Sequence, residues 1–302
     1  MSNLKYYSNI SFFKWISYVF KKIRNSIKIY HYNCKKSNMY QLGILGCGWL
    51  GMPLGLHLKT LGYDIRGSRR SKAGVSDLND KGINGYQVTL DENQSSGIES
   101  FIEKLETLII SIPPGRKSNE GDYVTKIQNL LSNIDSTEIK RIIFLSSVSV
   151  YGTSSGEYDE LSPINPVTSA AKAVYNCERL ITSSPIPSII IRLGGLIGED
   201  RNPIFQLQNR KIRNPKGRIN FVHQYDAVNG IAKLVLNNEL KGVFNLVSPH
   251  HPIRKEYYIK IAQRFGLPTP HFKSDPAIIR IINASKIIGI TSFRYNVDNL
   301  LI

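Results

Sequence analysis

The amino-acid sequence predicts an α/β fold, a doubly wound parallel sheet carrying a small α/β lobe towards its C-terminal end. Three observations predict it. From residue 41 onward, short apolar runs of strand length alternate with stretches of helical apolar spacing. A glycine-spaced turn, Gly46-Cys-Gly48-Trp-Leu-Gly51, stands between the first run and the first helix. The 302 residues, 41% of them hydrophobic, suffice to bury one large domain with a lobe.

The first strand is read at Gln41-Leu-Gly-Ile-Leu-Gly46, and the helix after it places Leu54, Leu58 and Leu61 on one face. The glycine spacing between them is the one a dinucleotide site requires. The first glycine allows a tight turn, the second lets backbone approach a pyrophosphate, and the third lets helix and strand pack closely. The helix N-terminus then turns unpaired N–H groups towards the phosphates. Pro53 falls in the first helical turn, where a missing N–H costs little. Gly46, Gly48, Trp49, Leu50 and Gly51 are thus the expected cofactor loop of a Rossmann-type domain.

The second strand is read around Tyr63-Asp-Ile-Arg66, ending in Gly67-Ser68-Arg69-Arg70. An NAD site places Asp or Glu about twenty residues past the glycines, to bond the ribose 2′-OH. Here Ser68 is expected at that position, followed by Arg69 and Arg70, whose planar forks suit a phosphate. NADP is therefore the expected cofactor, with NAD the alternative. Residues 105–112 read as the next strand, closed by Pro113-Pro114-Gly115, and Pro113 is expected to border the cofactor. A helix over 123–134, a strand over 139–144 and later strands over 188–193 and 243–247 continue the alternation. That mixed character after residue 190 excludes the large all-helical C-terminal domain of a β-hydroxyacid dehydrogenase.

The net charge of +16 divides unevenly. Residues 1–38 carry eight Lys or Arg and no acid, which leaves +8 spread over the rest of the chain. A diffuse excess of that kind argues against a nucleic-acid partner and suits phosphorylated ligands. The apolar patch Ile10-Ser-Phe-Phe-Lys-Trp-Ile-Ser-Tyr-Val-Phe20 is interrupted by Lys14 and falls short of the roughly twenty apolar residues a spanning helix needs. The extension reads as a targeting peptide, an amphipathic surface anchor, or upstream sequence with Met39 as the start. Membrane contact is expected only through it. Three dispersed cysteines (Cys34, Cys47, Cys177) indicate a reducing, cytoplasmic setting with no metal site. The expected division is a basic extension over 1–38, a nucleotide-binding core over 39–192, and a lobe over 193–302 interleaved with the last core strands.

From residue 142 the sequence resembles a known family. Phe144-Leu-Ser-Ser147-Val-Ser-Val-Tyr151-Gly152, Ile191-Arg192-Leu-Gly194-Gly-Leu-Ile-Gly198, Ile219-Asn220-Phe-Val-His223-Gln-Tyr-Asp226 and Gly242-Val-Phe-Asn245 are similar to segments of the extended short-chain dehydrogenases, the NAD-dependent epimerases and dehydratases. The likeness is greatest to small members with Gly-Trp-Leu-Gly in the fingerprint. It implies hydride chemistry on a small, sugar-derived or phosphorylated substrate, with Ser147 binding the substrate oxygen and Lys172 holding the ribose. It also implies a tyrosine four residues before Lys172, and Thr168 stands there. A phenol with a pKa of about 10 becomes usable beside a cation, whereas a threonine hydroxyl is far too weak an acid. Tyr151 and Tyr175 are the substitutes for it. A binding protein without turnover, sensing NADP(H), is the second reading. The resemblance further implies substrate contacts from Asn220 and His223 and a homodimer through the helices near 122–133 and 168–183, and Arg254, in the polar loop after residue 247, is expected to meet an anionic substrate.

Overall fold

The computed structural model describes residues 41–301 apart from 93–94, 116–119, 135–137, 209 and 298, so the expectations for the extension lie outside the described residues. In chain order the elements are β1 (Gln41–Leu45), α1 (Gly51–Thr60), β2 (Asp64–Arg69), α2 (Lys72–Asp80), β3 (Asn84–Gln87), α3 (Ile98–Ile102), β4 (Thr107–Ile110) and α4 (Glu120–Ile134). They continue with β5 (Arg141–Ser147), a 3-10 turn (Val148–Tyr151), β6 (Gly156–Tyr158), α5 (Ser169–Ser183), β7 (Ser188–Leu193), β8 (Gly195–Ile197), α6 (Ile204–Leu207) and β9 (Phe221–His223). Last come α7 (Gln224–Val235), β10 (Gly242–Leu246), α8 (Arg254–Arg264), β11 (Arg280–Ile282) and α9 (Ser285–Ile290).

Seven strands form one parallel sheet in the order β10-β7-β5-β4-β1-β2-β3. The apolar runs anticipated it, because strands buried on both faces need no polar alternation. Successive side chains go to opposite sides: Ile142 and Phe144 of β5 join one core with α4 and α5, while Ile143 between them joins another with α1 and α7. A third, smaller core gathers Ile197, Ile204, Ile219, Tyr257 and Ile261 in the lobe. Two short parallel pairs, β8–β9 and β6–β11, tie that lobe to the sheet.

The strands read over 105–112 and 139–144 are Thr107–Ile110 and Arg141–Ser147, and β2 and β3 also differ from the sequence reading. Strand β2 runs on to Arg69, because Ser68 and Arg69 pair with Tyr86 and Gln87 of β3. Strand β3, Asn-Gly-Tyr-Gln, has no apolar run of its own and is made by that pairing at the sheet edge. No described helix is long and apolar enough to cross a membrane.

Candidate cofactor and substrate site

The sheet reverses direction of growth at β1, which lies between β2 and β4. In open α/β sheets the crevice at the carboxyl ends of such strands takes the ligand, and here it holds the glycine turn. Each glycine has a separate physical reason. Gly46 has φ +90°, and a Cβ there would lie 2.6 Å from Ile112 Cγ2. At Gly51 a Cβ would meet the Gly46 carbonyl oxygen at 2.7 Å and Ile44 at 3.1 Å, so only glycine lets α1 sit against β1. Gly48 is different: a Cβ there would find nothing nearer than the Gly46 oxygen at 3.9 Å. The protein needs no glycine at that point for its own packing, and the free face is what a pyrophosphate lying against backbone would occupy. Leu50 is buried at the start of α1. Pro113 is exposed just beyond Ile112, the residue against Gly46, and so borders the crevice.

Ser68 is only 3% exposed, and its hydroxyl accepts the Gly46 N–H at 2.9 Å while its carbonyl accepts the Cys47 N–H at 3.0 Å. The residue expected to meet the ribose instead holds the turn in shape from beneath. Arg69, 30% exposed, lies 3.8 Å from Asp77 of α2, and its Nε is buried with no hydrogen-bond partner among the described residues. Arg70 is exposed beside it, its carbonyl accepting from Gln87. Burial pushes the Cys47 thiol up to about 12 despite Arg69 nearby, so it stays protonated.

The residues expected to do chemistry are placed as follows. Ser147 ends β5 half-buried and accepts the Ser149 N–H at 3.2 Å, capping the 3-10 turn. Thr168 is the N-cap of α5, its Oγ1 accepting the Ala171 N–H at 3.1 Å. Lys172 is exposed one turn later and bonds Thr168 through backbone alone. Among the described residues no side-chain hydrogen bond joins Ser147, Thr168 and Lys172. Tyr175 is half-buried against the core. Tyr151 is 1% exposed, its hydroxyl donating to Asn245 at 2.9 Å and accepting from Arg192 at 2.9 Å. Burial raises its pKa further. It is therefore a buried bonding residue and not open to the cleft.

That tyrosine belongs to a network the sequence reading did not assemble. Ser146, Arg192 and Asn245 stand in register across β5, β7 and β10. Glu178 of α5 receives Arg192 at 2.8 and 3.1 Å and the Ser146 hydroxyl, and Arg192 also stacks 4.9 Å from the Tyr151 ring. The signal was Glu178 itself, a charge within the buried stripe Ala171, Val174, Ile181 of α5, which demands a buried partner.

In the lobe, Asn220 is consumed by structure: its amide donates to the Arg280 carbonyl at 2.9 Å and accepts the Ile282 N–H at 2.9 Å. His223 caps α7, Nδ1 accepting the Tyr225 N–H at 3.2 Å, which leaves the proton of a neutral ring on Nε2. It lines a cavity of about 310 Å³ with Ile197, Asn202, Tyr257, Arg264 and Leu300. Arg254 opens α8 and does not line that cavity, its Nε buried with no hydrogen-bond partner among the described residues. Asn220, whose amide bonds Arg280, is one residue from Ile219, which bonds Pro252. The segments bearing Arg254 and Arg280 thus adjoin, and burial together with Arg254 lowers the Arg280 pKa. Arg280 donates to the Gly152 carbonyl in the turn after Ser147.

The geometry agrees with comparison to known proteins. Residues 48–220 match the family model described as NAD(P)H-binding. The chain belongs to that NAD(P)H-binding family. It is 31% identical to Protein YeeZ of Escherichia coli strain K12 over 272 residues, covering 87% of this chain and 98% of that one. The fold is that of a short-chain dehydrogenase/reductase superfamily protein from Agrobacterium tumefaciens with bound NAD (TM-score 0.71, 18% identity, 86% of this chain and 94% of that one). It is also that of UDP-glucuronic acid 4-epimerase from Bacillus cereus in complex with NAD (TM-score 0.70, 16% identity, 86% and 94%). The match to the NAD(P)H-binding model begins just after Gly46 and takes in Gly48, Gly51 and the whole of β2.

Proposed function

We propose that this protein is an NADP(H)-dependent oxidoreductase or epimerase-like enzyme for a small anionic substrate, sugar-derived or phosphorylated. The observation that carries the reading is the glycine turn with its one free face at Gly48. Gly46, Gly48, Trp49, Leu50 and Gly51 would hold the pyrophosphate, Pro113 would border it, and Lys172 would reach the ribose. Arg69 at the end of β2, 3.8 Å from Asp77 of α2, and the exposed Arg70 after it support a 2′-phosphate. The nicotinamide ring, when bound, supplies a hydride or accepts one. Ser147 would orient the substrate oxygen. Two neighbouring arginines, 254 and 280, have no ion pair among the described residues, and such a pair favours an anionic group on the substrate. His223 lines the lobe cavity and carries a donor on Nε2. A homodimer through α4 and α5 and a cytoplasmic setting complete the reading.

One observation favours a second reading, an NADP(H) sensor without turnover. The Thr168 hydroxyl is spent on a helix cap and Tyr151 is sealed in the core, so neither offers a proton at Ser147. The test is NADPH oxidation followed at 340 nm against a panel of phosphorylated and sugar-derived carbonyl compounds. Turnover lost in Ser147→Ala and reduced in His223→Gln supports the enzyme. NADPH binding with no oxidation by any member, together with weak generic carbonyl reduction gained in Thr168→Tyr, supports the sensor.

A further inference from the structure

A dinucleotide loop uses its backbone, so the side chain just after the second glycine is free to vary. Here it is Trp49, and its ring faces the lobe. The indole N–H donates to Asp200 Oδ1 at 2.8 Å, and the Arg201 guanidinium lies 4.8 Å from the ring centre. The ring edge occupies the place of a Gly198 side chain, since a Cβ there would be 2.9 Å from Trp49 Cζ2. The Trp49 carbonyl accepts from the Gln224 amide at 2.7 Å. Residues 198–201 form a tight loop closed on itself by Gly198 N–H to Arg201 O (2.8 Å) and Arg201 N–H to Gly198 O (3.3 Å). Two lobe segments distant in sequence, 198–201 and the start of α7, therefore grip one residue of the cofactor loop. The same two segments supply Gly198, Glu199 and His223 to the wall of the lobe cavity.

We propose that Trp49 is a positioning residue that couples the cofactor loop to the lobe, so that cofactor affinity is set in part by Asp200 and Gln224, and bound cofactor steadies the cavity wall. The inference rests on the reading of Gly46 to Gly51 as the cofactor loop. Its physical basis is reciprocal. Contacts that hold the loop in its binding shape lower the ordering cost of binding, and a ligand that fixes the loop fixes whatever the loop holds. Because Asp200 touches the indole and not the loop backbone, its effect has no reason to distinguish NADPH from NADH. A 2′-phosphate reader would distinguish them.

The test uses the full chain with Trp15→Phe, which leaves Trp49 as the sole tryptophan. Emission titrations give affinities for NADPH and NADH. Asp200→Ala should weaken both by the same factor, about three- to tenfold, the range of one hydrogen bond. Asp200→Asn, which keeps an acceptor oxygen, should restore most of the loss. Thermal midpoints should not move, since Asp200 is exposed. In hydrogen exchange, saturating NADPH should protect amides of 198–201 and 224–225 in the parent and not in Trp49→Leu. Parent-like affinities in Asp200→Ala, a loss confined to NADPH, or a lobe whose exchange ignores NADPH would each overturn the coupling while leaving the cofactor site in place. Failure of the parent to bind either dinucleotide would overturn the site, and the coupling with it.

Discussion

Substituting the three fingerprint glycines one at a time separates what the fold needs from what the cofactor needs. Gly48→Ala is the informative change. Its φ is not positive, and beyond its chain neighbours the added methyl meets one atom among the described residues, at 3.9 Å, so the folded chain accepts it. Relief of unfolded-state entropy makes the change neutral or stabilising by about 0.4–1 kcal/mol. The methyl projects into the face reserved for phosphate, so NADPH affinity should fall at least tenfold, about 1.4 kcal/mol. Gly51→Ala sets its methyl 2.7 Å from a carbonyl oxygen and 3.1 Å from Ile44, an overpacking worth about 1–3 kcal/mol. Gly46→Ala adds an unfavourable backbone angle to a clash and should fold worst. Isothermal titration with NADPH and thermal unfolding on all three variants decide the matter. Gly48→Ala that binds NADPH with parental affinity and melts at the parental temperature would refute the placement of the pyrophosphate and remove the basis for the site.

Replacing Arg69 and Arg70 together by Ala should cost NADPH at least tenfold in affinity, about 1.4 kcal/mol, and leave NADH nearly unchanged; a parent protein that binds the two equally defeats the NADP assignment. Glu178→Ala leaves Arg192 charged and unpaired at 5% side-chain exposure, a loss of about 3–5 kcal/mol that denaturant titration would register as a lowered midpoint. A shift below about 1 kcal/mol would show that the network relaxes around the gap. Burial holds the His251 pKa below its ordinary value of 6.5, so the unfolded chain takes up that proton first. Its stabilising contribution is present above the unfolded pKa and is lost as pH falls through the folded one. Stability should accordingly decline on the acid side of about 6.5, and His251→Gln should flatten that limb; an identical pH profile in the variant would assign the decline to other groups.

The sequence disclosed whatever is written locally. The strand before the turn, the three glycines and the buried Leu54 and Leu58 of α1 each satisfy a constraint met within a few residues, and the structure places them together at the end of β1, whereas Leu61 lies past the helix and is exposed. Ser68 was misjudged because its task depends on how β2 lies beside the turn, a register no spacing encodes. Strand β3 was missed because its partner makes it a strand, not its own residues.

Thr168 shows how two readings of one residue compete. Its place four residues before Lys172 invites comparison with a family tyrosine, yet Thr followed by Ser-Ala-Ala at the head of an apolar-striped helix is also an N-cap signal. The structure uses the hydroxyl as the cap. A tyrosine cannot do that, since its oxygen stands a ring's length from the backbone, so Thr168→Tyr would gain a phenol at the expense of the cap that starts α5. The polar strength near Ser147 lies one residue earlier and on the other side of the sheet face. Ser146, Glu178, Arg192, Tyr151 and Asn245 bind β5, β7, β10 and α5 into one unit beneath it. Their hydroxyl protons are held within the network, Ser146 donating to Glu178 and Tyr151 to Asn245. Their effect is to fix the end of β5, and with it the position of Ser147, against any ligand that lies across the crevice.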